Sequence, residues 1–144
     1  MKDVGMKPDS LRSAQATATL HAPAHCIELL RSGNTEKGDA LKTARVAGIL
    51  AAKRTDELIP LCHPLPIHRA EVSFELGDGF VVVTAEVQTI GPTGVEMEAL
   101  TAVSVALLTV YDMAKAIDRG MAISDISLAQ KLGGVRGDYS RVDQ

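Results

Sequence analysis

Asp112 and Lys115 stand three residues apart in the segment Tyr111-Asp112-Met113-Ala114-Lys115. On a helix that spacing makes them neighbours, and an acid beside an amine is either a structural ion pair or a proton-transfer couple. Spacing by itself favours the ion pair. His63 lies in Leu61-Cys62-His63-Pro64, among prolines that restrict the local backbone. An imidazole there can trade protons near neutral pH or meet a phosphate, although a hydrogen-bonded loop histidine fits the same residues. Lys37, Lys53, Arg54 and Lys115 fall beside expected element ends, and Arg12 is the notable charge of the N-terminal arm. Four or five converging cations could hold a polyphosphate, while each taken singly is ordinary solvated charge. Neither GxxxxGK(S/T) nor GxGxxG occurs, so the common phosphate loops find no support.

The pairs His25-Cys26 and Cys62-His63 together supply zinc-type ligands. Neither pair has chelating spacing, and side chains of adjacent residues diverge. No metal and no other cofactor is expected.

The element that must position these groups is the stretch Thr93 to Gly120, which reads as one long helix. Thr93 and Glu96 have the spacing of a capping box, and Gly120 follows Arg119 where a helix commonly stops. Ala99 to Val110 carries no charge, so the middle should be buried on nearly every side. Glu98 and Asp112 lie near one face but about 21 Å apart along the axis, too far to form an acid/base pair within one chain.

Around that rod, Met1 to Ser13 reads as an extended arm and Gln15 to His21 as a short strand. A helix over Ala24 to Ser32 is closed by Gly33-Asn34, and Thr35 to Asp39 forms a turn whose Asp39 can cap a second helix, Ala40 to Arg54. Leu41, Ala44, Gly48 and Ala51 give that helix a narrow stripe for close packing. Prolines keep Leu58 to Pro66 from being helical throughout. Ile67 to Leu76 and Phe80 to Val87 form a hairpin about Gly77-Asp78-Gly79, Met121 to Leu128 a last strand, and the Gly-rich tail is expected to be mobile. Strand, helix, strand, strand, helix, strand is the ferredoxin-like α+β pattern, an antiparallel sheet with helices on one face. The other face calls for cover, which a second subunit could supply.

The bulk properties agree with one domain over residues 1–144: the chain is 46% hydrophobic and 23% charged. A net charge of -3 and the scarcity of aromatic residues, two Tyr, two Phe and no Trp, argue against a nucleic-acid partner. No apolar run reads as long enough to span a membrane, and the N-terminus lacks an apolar signal core. With two cysteines and no disulfide framework, a cytoplasmic protein is expected.

Two segments, KGDALKTARVAGILAAKRTDELIPLCHPLPI and TGVEMEALTAVSVALLTVYDMAK, resemble the signatures of the cyclic pyranopterin monophosphate synthase family of molybdenum-cofactor biosynthesis. The opening DVGMKPDSLRSAQA is similar too, so the likeness covers nearly the whole chain. The resemblance implies a ferredoxin-like subunit in a homohexamer, a trimer of dimers with active sites at subunit interfaces. It implies a lyase that converts 3′,8-cyclo-7,8-dihydroguanosine 5′-triphosphate to cyclic pyranopterin monophosphate with release of pyrophosphate. By matching motifs, Asp112, Lys115 and Lys37 take the family's catalytic positions. Leu61, Cys62, His63, Met97 and Glu98 take substrate-contacting ones, and Arg12, Lys53, Glu96 and Lys131 further pocket positions. Where the family tail has the form KSGGKSGD, this chain has Val135 and Arg136 in place of the second Lys-Ser. The alternative kept beside the enzyme is a ferredoxin-like nucleotide-binding regulator without catalysis.

Overall fold

The computed structural model describes residues 1–142. The strands are β1 (Ser10–His21), β2 (Arg69–Gly77), β3 (Phe80–Gly91), β4 (Ala122–Leu132) and β5 (Tyr139–Ser140). The helices are α1 (Ala24–Ser32), α2 (Ala40–Lys53), α3 (Thr55–Leu58) and α4 (Glu96–Ala114). The sheet order is β2-β3-β1-β4-β5 and every pairing is antiparallel. The α+β, ferredoxin-like expectation holds, with β5 and the short α3 as additions.

Alternation along the central strands decides which face the helices cover. Ala14, Ala16, Ala18 and Leu20 of β1, with Val81, Val83, Ala85 and Val87 of β3, are buried. They meet Ala99, Ala102, Val103, Ala106, Leu107 and Val110 of α4 in one core. Small side chains on β1 let α4 settle close over the middle of the sheet, while α2 packs beside α4 and over β2. The opposite face presents Gln15, Thr17, Thr19, Thr84, Glu86 and Gln88, half-buried and polar. By length and composition α4 could cross a membrane, contrary to the sequence-based reading. Its burial against the sheet makes it the core helix instead.

The small-residue stripe of α2 has the close contact it implied. A Cβ on Gly48 would lie 3.0 Å from the Ala102 carbonyl oxygen and 3.2 Å from a Val72 methyl. Gly48→Val is therefore expected to cost about 2 kcal/mol through overpacking, read as a lower urea midpoint. An unchanged midpoint would show that the two helices can separate freely.

Several boundaries differ from expectation. The long helix begins at Glu96, after Val95, with no side-chain cap. Thr93 and Glu96 do not form a capping box, because the Glu96 carboxylate is drawn to Lys131 at 3.3 Å. The helix stops at Ala114, well short of Gly120. There the Tyr111 hydroxyl donates to the Arg119 carbonyl at 2.8 Å and Asp118 accepts the Gly120 N–H at 2.6 Å, giving those backbone groups partners off the helix. β1 starts at Ser10, since Ser10 to Ala14 pair with Val87 to Gly91 of a longer β3. The tail through residue 142 is no loose end: positive φ at Gly133, Gly134 and Gly137 turns the chain so that β5 pairs with β4. Asp138 accepts the Gly133 N–H at 2.9 Å across that turn. The tail's last two residues lie outside the described residues.

Candidate active site

Two polar clusters sit at opposite ends of α4. At its C-terminal end, the Asp112 carboxylate takes one ammonium on each oxygen, Lys37 on Oδ2 at 3.1 Å and Lys115 on Oδ1 at 3.0 Å. Lys37 arrives from the turn after α1, where Gly33 in the left-handed region ends the helix. The Thr35 hydroxyl then closes the turn onto the Gly38 carbonyl at 2.6 Å. Asp39 caps α2 by accepting the Lys42 N–H, as expected, which anchors the far side of the turn. All three charged side chains are about half exposed. The hydrogen bond from Lys115, then that from Lys37, holds the Asp112 carboxyl below the usual carboxylate range. Asp112 is therefore ionised at neutral pH, and its share of these ion pairs is lost only as pH falls through that lowered pKa.

At the N-terminal end of α4, Glu98 is 3% exposed. Its Oε2 accepts from the Cys62 thiol at 3.7 Å, and its Oε1 has no hydrogen-bond partner among the described residues. Burial pushes the Glu98 carboxyl up. Burial and the neighbouring Glu98 together push the Cys62 thiol to about 11, so it is protonated and no nucleophile at neutral pH. One turn edge away, Glu96 pairs with Lys131 through Oε2, and its Oε1 also lacks a partner.

Beside Glu96 opens a cavity of about 220 Å³ whose walls include Lys2, Lys7, Arg12, His63, Lys131 and Arg136. Five of these are cationic, against the one lining carboxylate, Glu96. Arg12 is buried within β1 and donates through Nε to the Gly91 carbonyl at 3.0 Å, so its guanidinium is fixed in the cavity wall. The tail turn lies directly on it: a Cβ on Gly134 would stand 2.8 Å from an Arg12 terminal nitrogen. The His63 Nε2–H donates to the Lys2 carbonyl, which docks the N-terminal arm at the cavity rim. Fixed cationic forks around a small concavity are a setting for phosphate oxygens.

The predicted residues thus fall into groups. Lys37, Asp112 and Lys115 come together. So do Arg12, His63, Glu96 and Lys131, with Cys62 and Glu98 adjoining through the first turn of α4. Leu61 is on an exposed loop, and Lys53 is exposed at the end of α2 with no ion pair among the described residues. Met97 turns toward an apolar groove with Leu58, Ile59, Leu100 and Ile126. Sequence reasoning missed Lys2 and Lys7 as cavity residues. The available signal was two lysines on the same arm as Arg12, ahead of the strand that carries it.

Residues 1–134 match the MoaC family. The chain is also similar to the cyclic pyranopterin monophosphate synthase of Peptoclostridium acidaminophilum, with 50% identity over 141 residues, 98% of this chain and 90% of that protein. The match spans both ends of α4, the tail turn up to Gly134 and the arm that docks on His63. The chain belongs to the MoaC family of cyclic pyranopterin monophosphate synthases.

Proposed function

We propose that this chain converts 3′,8-cyclo-7,8-dihydroguanosine 5′-triphosphate to cyclic pyranopterin monophosphate and pyrophosphate, in the cytoplasm, as a homohexamer built from dimers. The observation that carries this reading is the cationic cavity at the start of α4, where five positive side chains surround a space of about 220 Å³. A triphosphate chain supplies the anionic oxygens that Lys2, Lys7, Arg12, Lys131 and Arg136 require. The free thiols of Cys26 and Cys62 suit a reducing compartment.

Each remaining group has a role in the same reaction. Opening and re-forming purine rings needs proton donors and acceptors. Lys37 and Lys115 donate, and the ionised Asp112 between them accepts. Glu98 offers a buried carboxylate oxygen that lacks a partner among the described residues, and the guanine amino edge supplies N–H groups for it. A hydrogen bond to a charged acceptor is worth about 1.5–3 kcal/mol, so Glu98→Gln should weaken substrate binding about tenfold or more. Full affinity in that variant would remove Glu98 from the role.

The tail turn bears on phosphate capture. Val135 carries no charge, and Arg136 supplies the cation to the cavity. Arg136→Ala is expected to weaken substrate binding about tenfold at low ionic strength and less at high salt, where exposed charge is screened. Equal affinity of variant and wild type at low salt would place Arg136 outside the contact.

The deciding experiment supplies purified protein with the cyclised GTP derivative and follows pyranopterin by fluorescence after oxidation. Product and pyrophosphate in equal amounts are expected. Tight binding without product would favour a nucleotide-binding regulator.

A further inference from the structure

Away from the cationic cavity, the first turn of α1 meets the turn that follows α4. His25, Cys26 and Asp118 bring an imidazole nitrogen, a thiol sulfur and a carboxylate oxygen within 4.8 Å of one another. His25 and Cys26 are adjacent on α1, and contrary to the expectation that their side chains diverge, both ligand atoms stay within reach of Asp118, which the fold brings in from 92 positions beyond Cys26. Cys26 is fully buried, Asp118 half-buried and His25 exposed, so the cluster runs from the core to the surface. Asp118 is already oriented: one oxygen accepts the Gly120 N–H at 2.6 Å, leaving the other for a cation. A fixed outer hydrogen bond of this kind is what orients a ligating carboxylate.

We propose that His25, Cys26 and Asp118 form a three-ligand site for a zinc-class divalent cation, with solvent in the fourth position. Thiolate and imidazole select borderline-soft metals such as zinc and cobalt over magnesium or calcium. In a tetrahedral site with metal–ligand lengths of about 2.0–2.3 Å, neighbouring donors stand about 3.5 Å apart. The cluster needs a contraction of up to roughly 1 Å to reach that, shared between the exposed His25 side chain and the half-buried Asp118 side chain. The bound ion would tie α1 to the turn after α4, downstream of Asp112 and Lys115. Coordination of a thiol releases its proton, so affinity should rise with pH.

The test is cobalt titration of the reduced full-length protein, followed by the thiolate-to-cobalt charge-transfer absorption, with zinc as competitor. One equivalent should bind, zinc should displace it, and affinity should increase as pH is raised. Cys26→Ala should abolish the band. His25→Ala, at an exposed position that leaves the core alone, should weaken binding at least the roughly 10–100-fold that loss of an outer-shell partner costs. Cys62→Ser should leave the band intact. Absence of the band, its survival in Cys26→Ala, its loss in Cys62→Ser, or undiminished affinity in His25→Ala would each overturn the site.

Discussion

Asp112→Asn is expected to lower turnover by roughly two to four orders of magnitude while leaving the protein folded, the range that positioned acid–base groups supply. The argument rests on how little the cluster contributes to stability. Its members are about half exposed, and ion pairs in that setting are worth about 0–1 kcal/mol. Yet the fold brings Lys37 to Asp112 from 75 positions away in sequence and fixes it through a closed turn. Such positioning serves chemistry better than it serves stability. The two ammoniums keep Asp112 ionised, so the asparagine variant removes a negative charge at every neutral working pH. Lys115→Ala should act alike. The paired measurements are turnover of the cyclised nucleotide and the thermal midpoint. A midpoint that drops sharply while specific activity per folded molecule persists would return the cluster to a structural ion pair.

The second large effect concerns the length of α4. Glu98 and Asp112 are fourteen residues apart, about 21 Å along the axis, and the proposed reaction needs the chemistry of both. Antiparallel copies of α4 across a two-fold axis would set the start of one beside the finish of the other, giving two equivalent sites per dimer. The groove of Leu58, Ile59, Met97, Leu100 and Ile126, together with the 58% exposed Leu108, supplies apolar surface along α4 for such a contact. Glu98→Ala and Lys115→Ala are each expected to be inactive alone. Unfolded, mixed and refolded together, they should recover up to one intact site of the two in each mixed dimer. No recovery, with subunit mixing proven, would mean that each chain holds a complete site.

The two polar clusters differ in their electrostatic design. At one end of α4 a half-exposed carboxylate is stabilised as an anion by two cations. At the other a buried carboxylate is destabilised as an anion and has an oxygen without a partner among the described residues. The first is satisfied before any ligand arrives. The second and the cationic cavity beside it suit the proposed substrate, which carries N–H groups at one end and phosphates at the other.

Sequence alone determined the order of the main elements, all but α3 and β5, together with the turn that carries Lys37, the Asp39 cap and the burial of α4. Each depends on local signals: alternation at period two, small residues at helical spacing, Gly and Asp at turns. It also singled out Asp112, Lys115, His63, Glu98 and the scattered cations, Lys53 among them, by residue type and position, and family motifs added Leu61, Met97 and Lys131. Only the tertiary structure decided which of these meet. Lys37 reaches Asp112 because α2, which follows its turn, packs along α4. Arg12 reaches Lys131 because β1 and β4 are neighbours in the sheet. Local pattern also misjudged both ends of α4, where Glu96 forgoes a cap for Lys131 and Tyr111 ties down Arg119. The tail, read as loose from its glycines, is a hairpin because those glycines adopt the left-handed turn that lets β5 pair. Lys131 lies 35 positions from Glu96, and the Tyr111–Arg119 and β4–β5 contacts, though nearer, depend on side-chain and turn geometry that helical or alternating periodicity does not register.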